Sequence, residues 1–114
     1  MNQNKVSIIG RLTARPALKE ITSGSVCNLS VAVNGLPNKQ TGVRPVDYIP
    51  VSVFGKQAIS CATHLVSGQE VSIDGRMHFR KQKIGDKNVT VAEVLASHVE
   101  FGAKPKAAMA QAAA

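Results

Sequence analysis

The strongest chemical signal in the sequence is a concentration of positive charge between Arg76 and Lys87. Five of the fourteen Lys and Arg residues occur within these twelve positions, and Asp86 is the one carboxylate among them. Alternate residues of a strand point to the same side, so the first three basic residues share a face and the others continue the charge onto a loop. Rows of cations neutralise the phosphates of a nucleic-acid backbone. The residues concerned are Arg76, His78, Arg80, Lys81, Lys83 and Lys87.

A plainer interpretation is that these side chains only keep a solvated hairpin edge from aggregating. Two aromatic residues favour the functional interpretation. In Val46–Gly55, Tyr48 and Phe54 lie on the strand face opposite to the three β-branched residues between them. Exposed rings stack on unpaired bases, while cations hold the backbone of a single strand. We expect Tyr48, with its polar tip, to be exposed, whereas core and stacking are equally good assignments for Phe54.

A metal centre is the competing hypothesis from another class. Cys61 and His64 lie three residues apart on a predicted helix, but the sequence has no Cys-x2-Cys pair and Cys61 fits the buried side of that helix. The carboxylates form no close pair, and no nucleophile has a recognised setting. We therefore expect neither an enzyme nor a metal or other cofactor, and we expect two reduced, buried thiols. The other candidate ligands are Cys27, His78 and His98.

The composition predicts one small, basic domain. A chain of 114 residues can build one hydrophobic core, and 14 basic against 7 acidic residues give a net charge of +7. This charge favours anionic partners such as nucleic acid, phosphorylated ligands or acidic membranes. The sequence contains no run of eighteen apolar residues, and its polar start lacks the apolar middle of a secretory signal. We predict a cytoplasmic protein without a membrane partner.

Five segments have strand patterns and one has a helix pattern. The helix has Ala58, Ile59, Ala62 and Leu65 on its buried side, and Gly68 follows it. Doubly wound parallel folds need a helix at each crossover, so a single helix argues against them. Mostly antiparallel strands with one helix between the third and the fourth predict an all-β fold, a five-stranded barrel of the OB type. The predicted strands are Val6–Leu12, Val26–Val33, Val46–Gly55, Val71–Arg80 and Val89–Leu95, with Ala17–Ile21 extending the first, and the helix is Lys56–Leu65.

The connecting segments are expected to be exposed. Asn34–Pro45 is rich in Gly, Pro, Asn and Lys and has no periodicity, which predicts a long, mobile loop. Gly85-Asp86 predicts the turn of a hairpin, while Phe79 and Phe101 fit apolar faces and are assigned to the core. The Ala-rich end predicts a disordered or weakly helical tail. The predicted division is a binding domain at residues 1–102 and a short flexible tail at residues 103–114.

Taken in order, several of these segments resemble the bacterial single-stranded DNA-binding proteins. The similarity runs in register from about residue 4 to residue 101. Its most specific part is Phe54-Gly55-Lys56, followed by the short helix and Gly68. The other segments that carry it are "NKV", "GRL", "SG" before "NLSVAVN", "VDYIPVSV", "LVSGQEVSIDGRM", "FRKQ" and "TVAEVLASHVEF".

The resemblance implies an OB-fold domain that assembles into homotetramers and wraps single-stranded DNA. Such a protein protects and organises single strands, without sequence preference, in replication, recombination and repair at the nucleoid. The resemblance also implies roles for matching residues. Tyr48 and Phe54 would stack on bases, and the backbone contacts would come from Lys5, Arg11, Lys56, Arg76, Arg80 and Lys81.

The sequence departs from the family pattern in two places. The family commonly places tryptophans where Leu36 and Gln82 stand, and this sequence has no tryptophan. We therefore expect binding to depend more on charge than on stacking. Family members typically end in a flexible linker and an acidic tip that recruits replication and repair enzymes, whereas this sequence ends in three alanines. Two expectations stay open, a natural version without the recruiting tail or a trimmed chain.

The nearest alternative is a protein that resembles primosomal replication protein N, an OB-fold dimer that binds single strands and partner proteins. The absent tryptophans and acidic tip favour this alternative, whereas Phe54-Gly55-Lys56 favours the first interpretation. The oligomeric state, four chains or two, discriminates between them. Charge and stacking serve RNA as well as DNA, so DNA is preferred through the resemblance alone. Replication or primosome proteins are the expected protein partners.

Overall fold

The computed structural model describes residues 1–104, which form six strands and one helix. Residues 105–114 of the predicted tail lie outside this part. The strands are β1 (Val6–Leu12), β2 (Ala17–Ile21), β3 (Gly24–Asn34), β4 (Val46–Phe54), β5 (Glu70–Ile84) and β6 (Lys87–Phe101), and the helix α1 is Lys56–His64.

Five of the strands close into a ring, which confirms the predicted barrel. The hydrogen-bonded order is β1-β5-β6-β4-β3, and β1 closes the ring by pairing with β3. At the closure Arg11 pairs with Glu70 of β5 and with Ala32 of β3. A Cβ on the preceding Gly10 would stand 2.5 Å from the carbonyl oxygen of Ala32. Glycine is therefore needed where β1 passes between its two neighbours. All pairings are antiparallel except β4 with β6.

The segment predicted to extend the first strand forms a strand of its own. β1 ends at Leu12, which pairs with Val31, and β2 begins at Ala17, which pairs with Asn28 on the same edge of β3. The four residues between β1 and β2 include Pro16, which has no N–H to donate to a ladder. β2 thus continues the line of β1 after an interruption.

The core lies inside the ring and beneath α1. Ala58, Cys61 and Leu65 of the helix region are buried at i, i+3 and i+7, as the predicted helical face requires. Ile59 was wrongly placed on that face and is 47% exposed, because it follows Ala58 by one residue and therefore turns away. The two free thiols are fully buried, as predicted, and burial raises the pKa of Cys27 and raises that of Cys61 to about 11.

The hairpin of β5 and β6 is longer than predicted. β5 continues to Ile84 instead of ending at Arg80, and β6 runs on to Phe101. Only Gly85 and Asp86 separate the two strands, and Gly85 alone of the two has positive φ, as in a type II′ turn. Backbone pairing maintains these strands beyond the point where apolar alternation stops, which is why the pattern underestimated their length.

Two aromatic assignments to the core are wrong. Phe79 is 63% exposed because β5 has already left the barrel at this point. Phe101 is 40% exposed at the end of β6, where its ring lies 6.4 Å from the His64 ring of α1.

Candidate nucleic-acid interface

The outer face of β4 presents both candidate stacking residues. Tyr48 is 66% exposed, as predicted, and Phe54 is 49% exposed, which excludes the core assignment. Strand alternation turns Val51 and Val53 into the core and leaves the two rings on the opposite face. The two residues are six positions apart, so their rings lie about 20 Å apart along the strand. Each ring can therefore contact a different base.

Arg11 and Tyr48 line one groove of about 700 Å³, here named the Tyr48 groove. The two residues meet because Ala32 of β3 pairs with Arg11 on one side and with Tyr48 on the other. The guanidinium of Arg11 donates a hydrogen bond of 3.1 Å to the carbonyl oxygen of Gly68. This bond orients a cation beside an exposed ring. The arrangement suits a base on Tyr48 with its phosphate near Arg11.

Phe54 and Arg76 line a second groove of about 610 Å³, here named the Phe54 groove. Asn4 also lines it, and its side chain exchanges two hydrogen bonds with the backbone of Met77, at 2.8 and 3.0 Å. The β1–β5 register begins with Val6 opposite Gly75, and the contact of Asn4 with Met77 continues it, so by this continuation Lys5 is opposite Arg76. A second cation therefore lies beside the groove.

Lys56 is the exposed first residue of α1, two positions after Phe54. Its neighbour Gln57 donates from Nε2 to the carbonyl oxygen of Ser97, at 3.3 Å, and accepts from the Val99 amide, at 2.8 Å. Ser97 lines the Phe54 groove, so the start of the helix is fixed beside it. The structure thus brings Lys56 to the same end of β4 as Phe54.

Beyond the barrel, residues 79–92 form a two-stranded extension, here named the ribbon. The pairing of β5 with β6 is regular from Gly75 to Ile84, so Arg76, His78 and Arg80 share one face, as predicted. Asp86 is the one carboxylate within positions 76–87, but strand pairing brings a second carboxylate to these cations. Glu93 lies directly across from His78 and forms an ion pair with Arg80, with 3.6 Å between Nε and Oε1.

The Glu93 carboxylate is also bound by a residue of β4. Its other oxygen accepts a hydrogen bond of 3.4 Å from the hydroxyl of Ser52 on β4, and its side chain is only 15% exposed. Arg80 donates a further bond of 3.3 Å to the Gln82 side chain. Arg80 is therefore partly neutralised. Counting from the Gly85-Asp86 turn would have placed Glu93 opposite His78, so the sequence contained this signal.

The three lysines of the ribbon belong to strands and not to a loop, which corrects the prediction. Lys81 and Lys83 lie on the face of β5 that carries Phe79, opposite to the Arg80 face. Their cross-strand partners are the uncharged Thr90 and Asn88. The third lysine, Lys87, pairs with Ile84 next to the turn. The ribbon therefore carries cations on both of its faces.

Two further observations concern metal binding and membrane insertion. Within residues 1–104, no three His, Cys, Asp or Glu side chains are grouped closely enough to hold a metal ion. In the same part of the chain, no helix has the length and apolarity needed to cross a membrane.

Comparison with known proteins identifies the family. Residues 3–102 match the Single-strand binding protein family. Single-stranded DNA-binding protein 1 of Clostridium acetobutylicum is 35% identical over 101 residues, which cover 86% of this chain and 92% of that protein. Single-stranded DNA-binding protein 2 of Streptococcus agalactiae is 40% identical over 99 residues, which cover 86% of this chain and 76% of that protein.

The fold is also found among solved structures. The Plasmodium falciparum SSB in complex with ssDNA superposes with a TM-score of 0.77 at 24% identity, covering 89% of this chain and 96% of that chain. This likeness confirms the predicted fold. Together with the matching residues 3–102, which span nearly all of the described part, the relatives confirm the resemblance found in the sequence. The chain belongs to the Single-strand binding protein family.

Proposed function

We propose that the protein binds single-stranded DNA without sequence preference, and that it protects and organises single strands in replication, recombination and repair. The observation that carries this proposal is the pairing of an exposed ring with a cation at two separate places, Tyr48 with Arg11 and Phe54 with Arg76. The role is binding and not catalysis. We place it in the cytoplasm, at the nucleoid.

Stacking explains why a single strand is preferred. A ring can stack on a base only if that base is not already stacked between its neighbours, as it is in a duplex. Every base has a π-face, so stacking also tolerates any sequence. The proposed stacking residues are Tyr48 and Phe54, and the proposed backbone contacts are Lys5, Arg11, Lys56, Arg76, His78, Arg80, Lys81, Lys83 and Lys87.

Uncharged side chains stand where the family commonly has two tryptophans, and cations flank one of these positions. The position of one family tryptophan is Gln82, on the ribbon, and the other is Leu36, which is 88% exposed. Around Gln82 the ribbon carries four cations against the single Asp86. Each phosphate neutralised releases counterions, so affinity falls as salt rises. We therefore propose that binding is strongly salt-dependent.

The test is a titration with a labelled oligonucleotide, as single-stranded DNA, single-stranded RNA and duplex DNA, at two salt concentrations. The proposal expects the single-stranded DNA to bind most tightly and its affinity to fall as salt rises. Equal affinity for the duplex would contradict the stacking role of Tyr48 and Phe54. Tighter binding of RNA would contradict the assignment to DNA.

We further propose that the protein acts as a homotetramer built from the domain of residues 1–102, with replication or primosome proteins as further partners. Family membership supports this, as do large apolar side chains that one chain leaves exposed, such as Ile9 at 62%. Sedimentation velocity at micromolar concentration tests it and should give four times the mass of one chain. A dimer would favour the alternative that resembles primosomal replication protein N, and a monomer would contradict both.

A further inference from the structure

Phe79 stands at the root of the ribbon with its ring in solvent. It is 63% exposed, and its cross-strand partner is Ala92, whose methyl group covers little of a neighbouring ring. Phe79 does not pack against the hydrophobic core. On this strand, Met77 is the last side chain that does. Within residues 1–104 the one pair of neighbouring aromatic rings is His64 with Phe101, so Phe79 has no aromatic partner there.

The surroundings of Phe79 are cationic on its own face. Strand alternation without a bulge puts Lys81 and Lys83 beside it, at about 7 and 13 Å along the strand. Across the ribbon, this face presents Ala92, Thr90 and Asn88, none of which carries charge. Among the described residues neither lysine pairs with a carboxylate, in contrast to Arg80 on the other face, which Glu93 holds.

An exposed ring followed by two unopposed cations is the combination that single strands require. The ring offers a stacking platform, and the cations replace counterions on the adjoining phosphates. We propose that Phe79 is a third base-stacking residue, with Lys81 and Lys83 on the phosphates next to the stacked base. This proposal rests on the proposed function. It assigns a strand of DNA to the ribbon face opposite to Arg80 and Gln82.

The direct test introduces a tryptophan into a protein that has none. In Phe79→Trp, titration with an oligomer of deoxythymidine should quench the tryptophan fluorescence, because the indole stacks on a base. The control is Ile59→Trp, on the exposed side of α1. Its fluorescence should not change. Equal signals from the two variants, or an unchanged signal from Phe79→Trp while the DNA binds, would overturn the proposal.

Affinity gives the second measurement. Phe79→Ala should bind about 5- to 150-fold more weakly, with an unchanged slope of log affinity against log salt, because a ring releases no counterions. Phe79→Leu keeps an apolar side chain without a π-face and should lose nearly as much. If Phe79→Leu binds as tightly as the parent, stacking by Phe79 is refuted.

Two controls distinguish failure of the Phe79 proposal from failure of the proposed function and from a role of Phe79 in assembly. The parent protein must bind the same oligomer in the same assay, and failure there contradicts the proposed function itself. Sedimentation must give the same mass for Phe79→Ala as for the parent. A lower mass would mean that Phe79 contacts a second copy of the chain, which would overturn the assignment to DNA.

Discussion

The outer face of β4 and the ribbon hold their side chains in different ways. β4 pairs with β3 along its whole length and with β6 at Val51 and Ser52. Tyr48 and Phe54 therefore lie on the outer face of a strand that belongs to the closed barrel. Among residues 1–104, the two strands of the ribbon pair only with each other, and nearly all of their side chains are exposed. A two-stranded ribbon alone is marginally stable.

This difference matches what base stacking and phosphate binding each require. A stacked pair needs a ring at a defined position and angle, and a strand of a packed barrel supplies both. A phosphate contact acts over a longer distance and accepts many geometries, so cations on an exposed ribbon are sufficient. We infer that the barrel face supplies most of the salt-independent part of binding, to which Phe79 adds at the root of the ribbon, and that the cations of the ribbon supply much of the salt-dependent part.

The largest effect should come from removing the charge of the ribbon. Replacing Arg80, Lys81, Lys83 and Lys87 together by Gln should weaken the salt dependence. The magnitude of the slope of log affinity against log salt should fall by about 3, at about 0.7 per lost contact with a single strand. At 0.2 M salt this corresponds to roughly 100-fold weaker binding, alike for all sequences. A matched variant, Asn88→Ala with Thr90→Ala, changes the same ribbon without its charge and should keep the slope. A quadruple variant with the parent's slope would show that the ribbon is only a solvated edge.

The next effect in size should come from the barrel face. Tyr48→Ala should weaken binding by about 2 kcal/mol, or about 30-fold, the middle of the range for the loss of one stacked base. The slope against salt should stay at the parent's value. Tyr48→Phe, which keeps a ring, serves as the control and should bind nearly as well as the parent. A changed slope in Tyr48→Ala would break the division between the two regions.

A smaller effect, of opposite sign, is expected at the boundary of the two regions. Glu93 holds Arg80 in an ion pair at 3.6 Å, so the guanidinium must leave it to meet a phosphate. Glu93→Gln keeps an acceptor for Ser52 and releases Arg80. At 0.2 M salt we expect about 3-fold tighter binding and a slope steeper by about 0.7, measured in the same titration. Weaker binding would show that Glu93 orients Arg80 productively instead of competing for it.

Changes at Cys61 in the core of the barrel should leave DNA binding at neutral pH unchanged, and their effect should be on the stability of the fold at high pH. Burial raises the pKa of the Cys61 thiol to about 11, from 9.0 for the free group. Its contribution to stability is complete below pH 9 and is lost between pH 9 and pH 11, because the unfolded thiol ionises there while the buried thiol does not. Urea unfolding should show a loss of up to about 3 kcal/mol over this interval.

The matched variant for that measurement is Cys61→Ala, which should lose less stability between pH 9 and pH 11 than the parent. Native protein at pH 8 should also leave both thiols unmodified by a thiol reagent, because neither is exposed. Rapid modification without unfolding would mean that the barrel opens readily, and the contrast with the ribbon would then be lost.

The barrel could be predicted because its strands face a core. Val51 and Val53 alternate with Tyr48 and Phe54, and this period of two indicated the strand and the shared face of its rings, whereas the exposure of Phe54 came only from the structure. The ribbon follows no such pattern. Past Met77 there is no core for β5 to face, so Phe79 looked like one more buried residue and the lysines looked like a loop. Glu93 was missed because ion pairs across strands depend on register, which in this hairpin follows from counting back from the Gly85-Asp86 turn and not from the alternation within one strand.

The most direct test of the account uses the unmodified protein. Tyr48 is the only tyrosine and the chain has no tryptophan, so its emission reports on the barrel face alone. Titration with a deoxythymidine oligomer, corrected for absorbance by the DNA, should quench this emission and saturate together with the anisotropy of a labelled oligomer. Tyrosine emission that stays unchanged while the DNA binds would contradict stacking on Tyr48.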